Sequence, residues 1–241
     1  MRWSHRYIET VKARTLMTDQ SKGLLAIWST IAAEAETDYL HWLTREHIFE
    51  RVSVPGFLSG RVFRRRDSQP SQYFMLYELA AASVMSSPAY LARLNDPTPW
   101  TQRVMPQLMQ FRRGGGSVDV SGGNVDAHGS HLAIARFDGV LPDALTGSKG
   151  LQLAETLAEL DWVVNVQMMT VQTDATSIAT REKSMRSSQE GEFSGLLIIQ
   201  ALDNAALERA VNRARELLMA ANEFEIYEAV FSCHQGNNEI C

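Results

Sequence analysis

RRGGGSVDVSGGNVDAHGS, residues 112–130, divides the chain into two stretches that repeat one order of elements. Strand, helix, two strands, helix, strand can be read across 21–113 and again across 129–234. Two such units can close their open sheets against each other and enclose a cavity. The dividing run holds neither G-x-G-x-x-G after a strand nor G-K-S/T, so its glycines do not mark a phosphate loop. Its composition predicts a flexible glycine-rich linker over 114–128.

Upstream of that seam, GLLAIWSTI (23–31) is apolar on both faces and predicts a strand. A helix is predicted over 34–52, with Leu40, Leu43, His47, Glu50 and Arg51 along one side and Pro55 and Gly56 as its stop. Strands over 56–66 and 72–80 flank the polar turn DSQPS, 67–71. A second helix follows over 82–94, then a break at NDPTPW (95–100) and a last strand over 107–113.

Downstream, strands are predicted over 131–137, 162–173, 193–202 and 225–232, with a longer polar insertion between the middle two. Helices are predicted over 149–160 and 204–221, the latter with Asn204 as N-cap and Leu207, Ala210, Val211, Ala214, Leu217 and Leu218 on one side. A split βαβ–βαβ unit is the ferredoxin-like arrangement. The expected fold is therefore α+β: two tandem ferredoxin-like βαββαβ units, 21–113 and 129–241, whose antiparallel sheets pack into an α+β barrel. Residues 1–20 form an N-terminal arm, basic but without the apolar stretch of a secretory signal, and Met17 offers an alternative start.

Composition narrows the partners. A chain of this length buries roughly 70–75% of its unfolded surface, so its core needs no covalent staples. With 45% hydrophobic and 21% charged residues it reads as an ordinary globular protein. A net charge of −5 argues against nucleic acid, which demands a basic footprint. No apolar run reaches the ~20 residues of a membrane span. Cys233 and Cys241 stand in no metal spacing and imply no disulfide framework, which favours a reducing, cytoplasmic setting.

A ferredoxin-like unit covers one sheet face with helices and leaves the other bare. Strict alternation puts Leu58, Gly60, Val62, Phe74 and Leu76 beneath the helices. Phe57, Ser59, Arg61, Phe63, Tyr73, Met75 and Tyr77 then point the other way, joined by Trp28, Thr30 and Gln110. Ala133, Ala135, Asn165, Gln167 and Tyr227 would form the opposing wall. Such a surface, aromatic with a few polar groups, suits either a ligand cavity or a filled sheet-on-sheet core.

The run YLHWLTREHIFERVSVPGF (39–57), followed by a strand pair, resembles the EthD-like branch of the dimeric α+β barrel superfamily. There a helix carrying Trp and His after the first strand precedes a Pro-Gly turn. The resemblance covers 23 to about 113, and Trp42 and His47 match that helix's aromatic and histidine. The second half shares the element order without the motif, since 149–160 holds neither Trp nor His. Relatives include cofactor-free monooxygenases, lactone isomerases, polyketide cyclases, haem enzymes and proteins of no known activity, so fold does not deliver function. The resemblance implies a small, largely apolar or aromatic organic ligand within a catabolic or biosynthetic operon. Many relatives build the barrel from two chains, and this chain resembles a fused version.

His47 is the first candidate for chemistry, because an imidazole titrating near neutrality can move a proton on or off a carbon acid or enol. A satisfied core histidine is the competing reading. Arg61 is the second, as a bidentate anchor for a carboxylate or enolate, set against a strand-end arginine reaching solvent beside Arg64, Arg65 and Arg66. Trp28, Trp42, Tyr73, Tyr77 and Gln110 complete the expected substrate-binding set. His41 and His47 lie about 240° apart around a regular helix and do not share a metal. Haem needs an axial histidine, which the second-half helices lack, so no cofactor is expected. The sequence thus predicts a small-metabolite protein, either a cofactor-free proton-transfer enzyme or a non-catalytic accessory of a catabolic pathway, with unpaired strand edges leaving a homodimer open.

Overall fold

All nine residues of β1 (Gly23–Ile31) are buried, as a strand hidden on both faces requires. In the computed structural model, which describes residues 21–187, 191–218 and 223–236, β1 lies between β3 (Ser71–Leu79) and β4 (Met109–Gly123). The N-terminal arm expected over 1–20 falls outside the described residues, as does Cys241. The remaining strands are β2 (Phe57–Arg65), β5 (His131–Phe137), β6 (Val163–Val171), β7 (Gly195–Ala201) and β8 (Phe224–His234). Together they close an antiparallel barrel in the order β1-β3-β2-β8-β5-β7-β6-β4. The fold is α+β, and the edges expected to be free are joined through β2–β8 and β4–β6.

Helices cover the outside. The first helical segment, α1 (33–52), is a 3-10 turn Ala33–Ala35, an α-helical stretch Glu36–Trp42, a π-helical turn Leu43–His47 and a closing α-helical stretch Ile48–Val52. The helix expected over 82–94 is split. A 3-10 turn ends at Ser86, and Pro88 opens α2 (Pro88–Asn95), with the Ser87 hydroxyl accepting from the Tyr90 amide. The expected break at 95–100 contains the start of a short helix, α3 (Pro99–Val104). In the second half, α4 (Gly147–Ala158) and α7 (Asn204–Leu218) flank a segment that carries two single turns, α5 (Thr173–Thr176) and α6 (Arg181–Ser184). The cap of α7 is Asp203, whose carboxylate accepts from the Ala206 amide at 2.8 Å. Asn204 instead binds Glu208 and Arg66 through its side chain.

The glycine-rich stretch is not a flexible connector as far as Gly123. Residues 109–117 pair with β1 and 116–123 pair with β6, so one 15-residue strand serves both halves. Its glycines answer to close backbone approach. A Cβ on Gly116 would lie 1.8 Å from the Thr170 carbonyl oxygen, and Gly123 adopts a φ of +79°.

The interior is packed rather than hollow. Trp28, Phe63, Phe74, Leu76, Ile198 and Tyr227 belong to one buried cluster inside the barrel. Trp28 meets Phe74 and Phe193 at ring-centroid distances of 4.6 and 5.2 Å. Parity explains where the expected inward set fails. The hairpin register pairs Phe63 with Phe74 and Arg61 with Leu76, so odd-numbered β2 residues share their face with even-numbered β3 residues. Tyr73, Met75 and Tyr77 consequently lie on the helix side, and a register shift after Phe57 sends that ring there too. Ala133 and Ala135 also face the helices, leaving Leu132 and Ile134 inside. Ser59, Arg61, Phe63, Asn165, Gln167 and Tyr227 keep the expected inward register.

Candidate functional site

With the barrel interior filled, the polar groups of interest collect outside it, between α1 and the first-half strands. The π-helical turn is the cause. Five positions separate Trp42 from His47, which a regular α-helix would set about 140° apart. The wider turn brings them onto one side, and their rings stack at a centroid distance of 4.1 Å. π-helical turns are frequent at functional sites.

Trp42 is fixed from behind by its indole N–H, which donates to the Thr101 hydroxyl on α3 at 3.1 Å. Tyr39 and Ser29 share a hydrogen bond of 2.7 Å between hydroxyls, linking α1 to β1. A small cavity lies among these groups, lined also by Met75, Phe111 and Glu182. It measures about 20 Å³, room for a single water.

Charge closes the site from an unexpected side. Arg51, one turn beyond His47, is buried and pairs with Glu182 of α6, a residue of the second half's polar insertion. The same insertion lays the Arg186 guanidinium over the Phe111 ring at 3.9 Å. Burial holds the His47 imidazole well below its ordinary value of 6.5, and the positive charges of Arg51 and Arg186 add to the effect. Burial likewise pushes the Glu50 carboxyl and the Tyr77 hydroxyl up. Among the described residues, His47 Nδ1, Tyr77 Oη, Arg51 Nη1 and both Glu50 carboxylate oxygens are buried without a hydrogen-bond partner. Buried polar atoms are normally satisfied; a second group of orphans, Trp28 Nε1, Asn165 Oδ1, Gln167 Oε1 and Gln200 Nε2, lies inside the barrel.

A sign follows for pH. The unfolded chain protonates His47 near its ordinary value while the folded chain resists, so the unfolded state binds more protons below about pH 6.5. This contribution to stability is fully present above that pH and is lost as pH falls. The urea midpoint is expected to drop between pH 7.5 and 5.5, by less in His47→Gln than in the parent; equal drops would show that His47 is solvated.

The sequence-predicted residues divide between two places. Trp42 and His47 meet in this pocket, and Tyr77 lies on the same helix side of the sheet. Tyr73 is also there, its hydroxyl donating to Glu36 at 2.5 Å. Arg61 and Trp28 lie inside the barrel, away from His47. Arg61 donates to Gln200 Oε1 at 2.7 Å and to the Gly129 carbonyl at 2.6 Å, with its plane 4.7 Å over Phe63. Burial brings its pKa down to about 10, still charged at neutrality. Gln110 sits exposed at the β4 bulge with a φ of 47° and accepts from Thr30. Tyr39 and Glu182 line the cavity and Arg51 pairs with Glu182 beside it; sequence reasoning singled out none of the three. Arg51 had a signal, since it follows His47 by four positions on the helix; Glu182, in a polar insertion, had none.

A haem group would need an axial ligand. Neither α4 nor α7 contains His, Cys, Tyr or Met to serve as an axial ligand, and the cavity beside His47 has no space for a macrocycle. Among the described residues no three His, Cys, Asp or Glu side chains converge as a metal site, and no helix is long and apolar enough to cross a membrane.

No protein-family model matches the chain, and no curated protein does. Solved structures are similar to it. An anthrone oxidase-like protein superposes with a TM-score of 0.57 at 15% identity, covering 91% of this chain and 95% of its own. A candidate monooxygenase from Fusobacterium nucleatum gives 0.56 at 9% identity, covering 91% and 97%. A variant of chlorite dismutase from Candidatus Nitrospira defluvii gives 0.51 at 8%, covering 91% and 95%. At these identities the likeness shows the fold, an eight-stranded α+β barrel.

Proposed function

We propose that the pocket beneath α1 binds a small aromatic or carboxylate metabolite, and that His47 transfers a proton on it without a cofactor, as in an isomerase, cyclase or lyase. One observation carries this reading: a buried imidazole packed against Trp42 at a centroid distance of 4.1 Å, with Nδ1 lacking a partner among the described residues, lines the same cavity as Ser29, Tyr39 and Glu182. A neutral imidazole takes a proton from a carbon acid or phenol. Burial and two nearby arginines then make the imidazolium short-lived, so the proton passes on to another atom of the substrate. The chain is read as an EthD-like barrel formed by tandem duplication of one βαββαβ unit, which the matching strand order of the two halves supports. The likeness to proteins described as an anthrone oxidase-like protein and a monooxygenase supports a small organic ligand.

The same lining supports a second reading, a non-catalytic accessory protein of a catabolic pathway that holds a ligand for handover, since an imidazole with an unpartnered Nδ1 can hydrogen-bond a ligand without moving a proton. A thermal-shift panel of aromatic and carboxylate metabolites separates the two when each binder is followed for conversion. Proton transfer predicts that His47→Gln loses turnover by roughly a hundredfold or more while keeping the shift. A panel without binders, or a variant that turns over like the parent, would remove the proposal.

A further inference from the structure

We infer that Arg51 is the carboxylate-binding residue of this pocket and that Glu182 occupies its place until a substrate carboxylate displaces it. The inference rests on the pocket reading above and narrows the substrate to a small organic acid whose anionic group binds one helical turn from His47. Arg51 is buried, and taking a guanidinium out of water demands a compensating anion. The nearer of its two carboxylates, Glu182, comes from outside the first half, and Glu50 lies farther off at 3.5 Å. Glu182 stands on α6, a single turn whose Arg181 and Ser184 are exposed and whose Lys183 is half-buried, so the glutamate is its one buried residue.

The pairing leaves capacity unspent. Glu182 engages Arg51 through Nη2, while Nη1 has no hydrogen bond and only a 3.5 Å approach to Glu50. Planar carboxylates prefer to take both outer nitrogens of an arginine in parallel. The hydroxyl of Tyr77, close enough to Arg51 for its charge to act on it, is buried and unpartnered as well. A ligand carboxylate seated on Arg51 would satisfy both donors, and its organic body would extend toward Tyr39 and Trp42. Glu182 also lines the small cavity, so its departure would enlarge the space beside His47.

Exchange moves the Glu182 side chain off Arg51 and leaves α6 seated. Besides Glu182 itself, the segment is tied to the first half by the Arg181 amide donating to Asn95 at 3.0 Å, by Met185 packed on the first-half core, by the Arg186 guanidinium over Phe111 and by Ser187 reaching the Leu108 carbonyl at 3.5 Å. No covalent step is involved: one carboxylate replaces another on the same arginine.

Benzoate and its uncharged isostere benzamide serve as probes, with calorimetry on the full-length protein. Glu182→Gln removes the competing charge at constant shape and is expected to bind benzoate about tenfold more tightly than the parent, because the binding-competent form is no longer taxed. Arg51→Lys, which keeps the charge but loses the fork, is expected to bind it at least about tenfold more weakly. Glu182→Ala supplies a second measurement: formate should raise its melting temperature saturably over chloride while leaving the parent unmoved. Equal benzoate affinity across parent, Glu182→Gln and Arg51→Lys, or formate shifts identical in parent and Glu182→Ala, would overturn the inference. Benzamide binding as tightly as benzoate would overturn it too while leaving the pocket itself standing; binding of neither probe would remove both.

Discussion

Gly116→Ala is expected to cost about 3 kcal/mol of unfolding free energy in urea titration, the upper range for forcing extra atoms into a packed site. The added Cβ would sit 1.8 Å from the Thr170 carbonyl oxygen, which is backbone of a neighbouring strand and not a movable side-chain end. Relief requires β4 and β6 to part at the point where the two halves of the barrel join. Gly236 provides the control, since a Cβ there meets nothing within 4 Å, and its alanine variant should lie within about 0.5 kcal/mol of the parent. If both variants unfold at the same urea concentration, the glycine-rich stretch does not form the shared strand.

Trp28→Ala carries the second large effect, a loss of about 3–5 kcal/mol. The indole is fully buried among Phe74 and Phe193, with the Arg136 guanidinium 5.3 Å from its ring. Its removal leaves an apolar hole that surrounding strands, tied in a closed barrel, cannot collapse to fill. Added indole should therefore restore part of the lost stability by binding the hole. Trp162, which is 58% exposed, gives the comparison: its alanine variant should change stability by only about 0.5 kcal/mol. A small loss at Trp28 as well would mean that the barrel interior is open space, and the site would then belong inside it.

Element order was written plainly enough in the chain to anticipate a barrel. The strand over 23–31 and that over 131–137 agree residue for residue with β1 and β5, because continuous apolar runs with turn signals on both sides admit few other readings. Side-chain direction was less legible. In β3 alternation was correct but its phase was not, since the phase depends on hairpin register and a one-residue slip inverts every side chain. The glycine-rich stretch misled for a related reason. Glycine lowers local strand propensity, and only the crowding of Thr170 and Val164 against it makes glycine the residue this strand needs.

The site shows the same division. Trp42 and His47 were recognisable by residue type, yet on a regular helix they point apart, and the π-helical turn that stacks them has no periodic signature. Arg61 looked like an anion anchor and is instead spent on Gln200 and Gly129 inside the barrel.

Local pattern, then, determined which stretches are strands and helices and that they recur in one order, because propensity and hydrophobic periodicity act between near neighbours. Tertiary structure alone decided that the barrel is solid, that the pocket lies beneath α1, and that Arg51 meets Glu182 across 131 residues of sequence. Contacts at that separation are set by how closed sheets and their insertions fit in space, and no short window of residues encodes them.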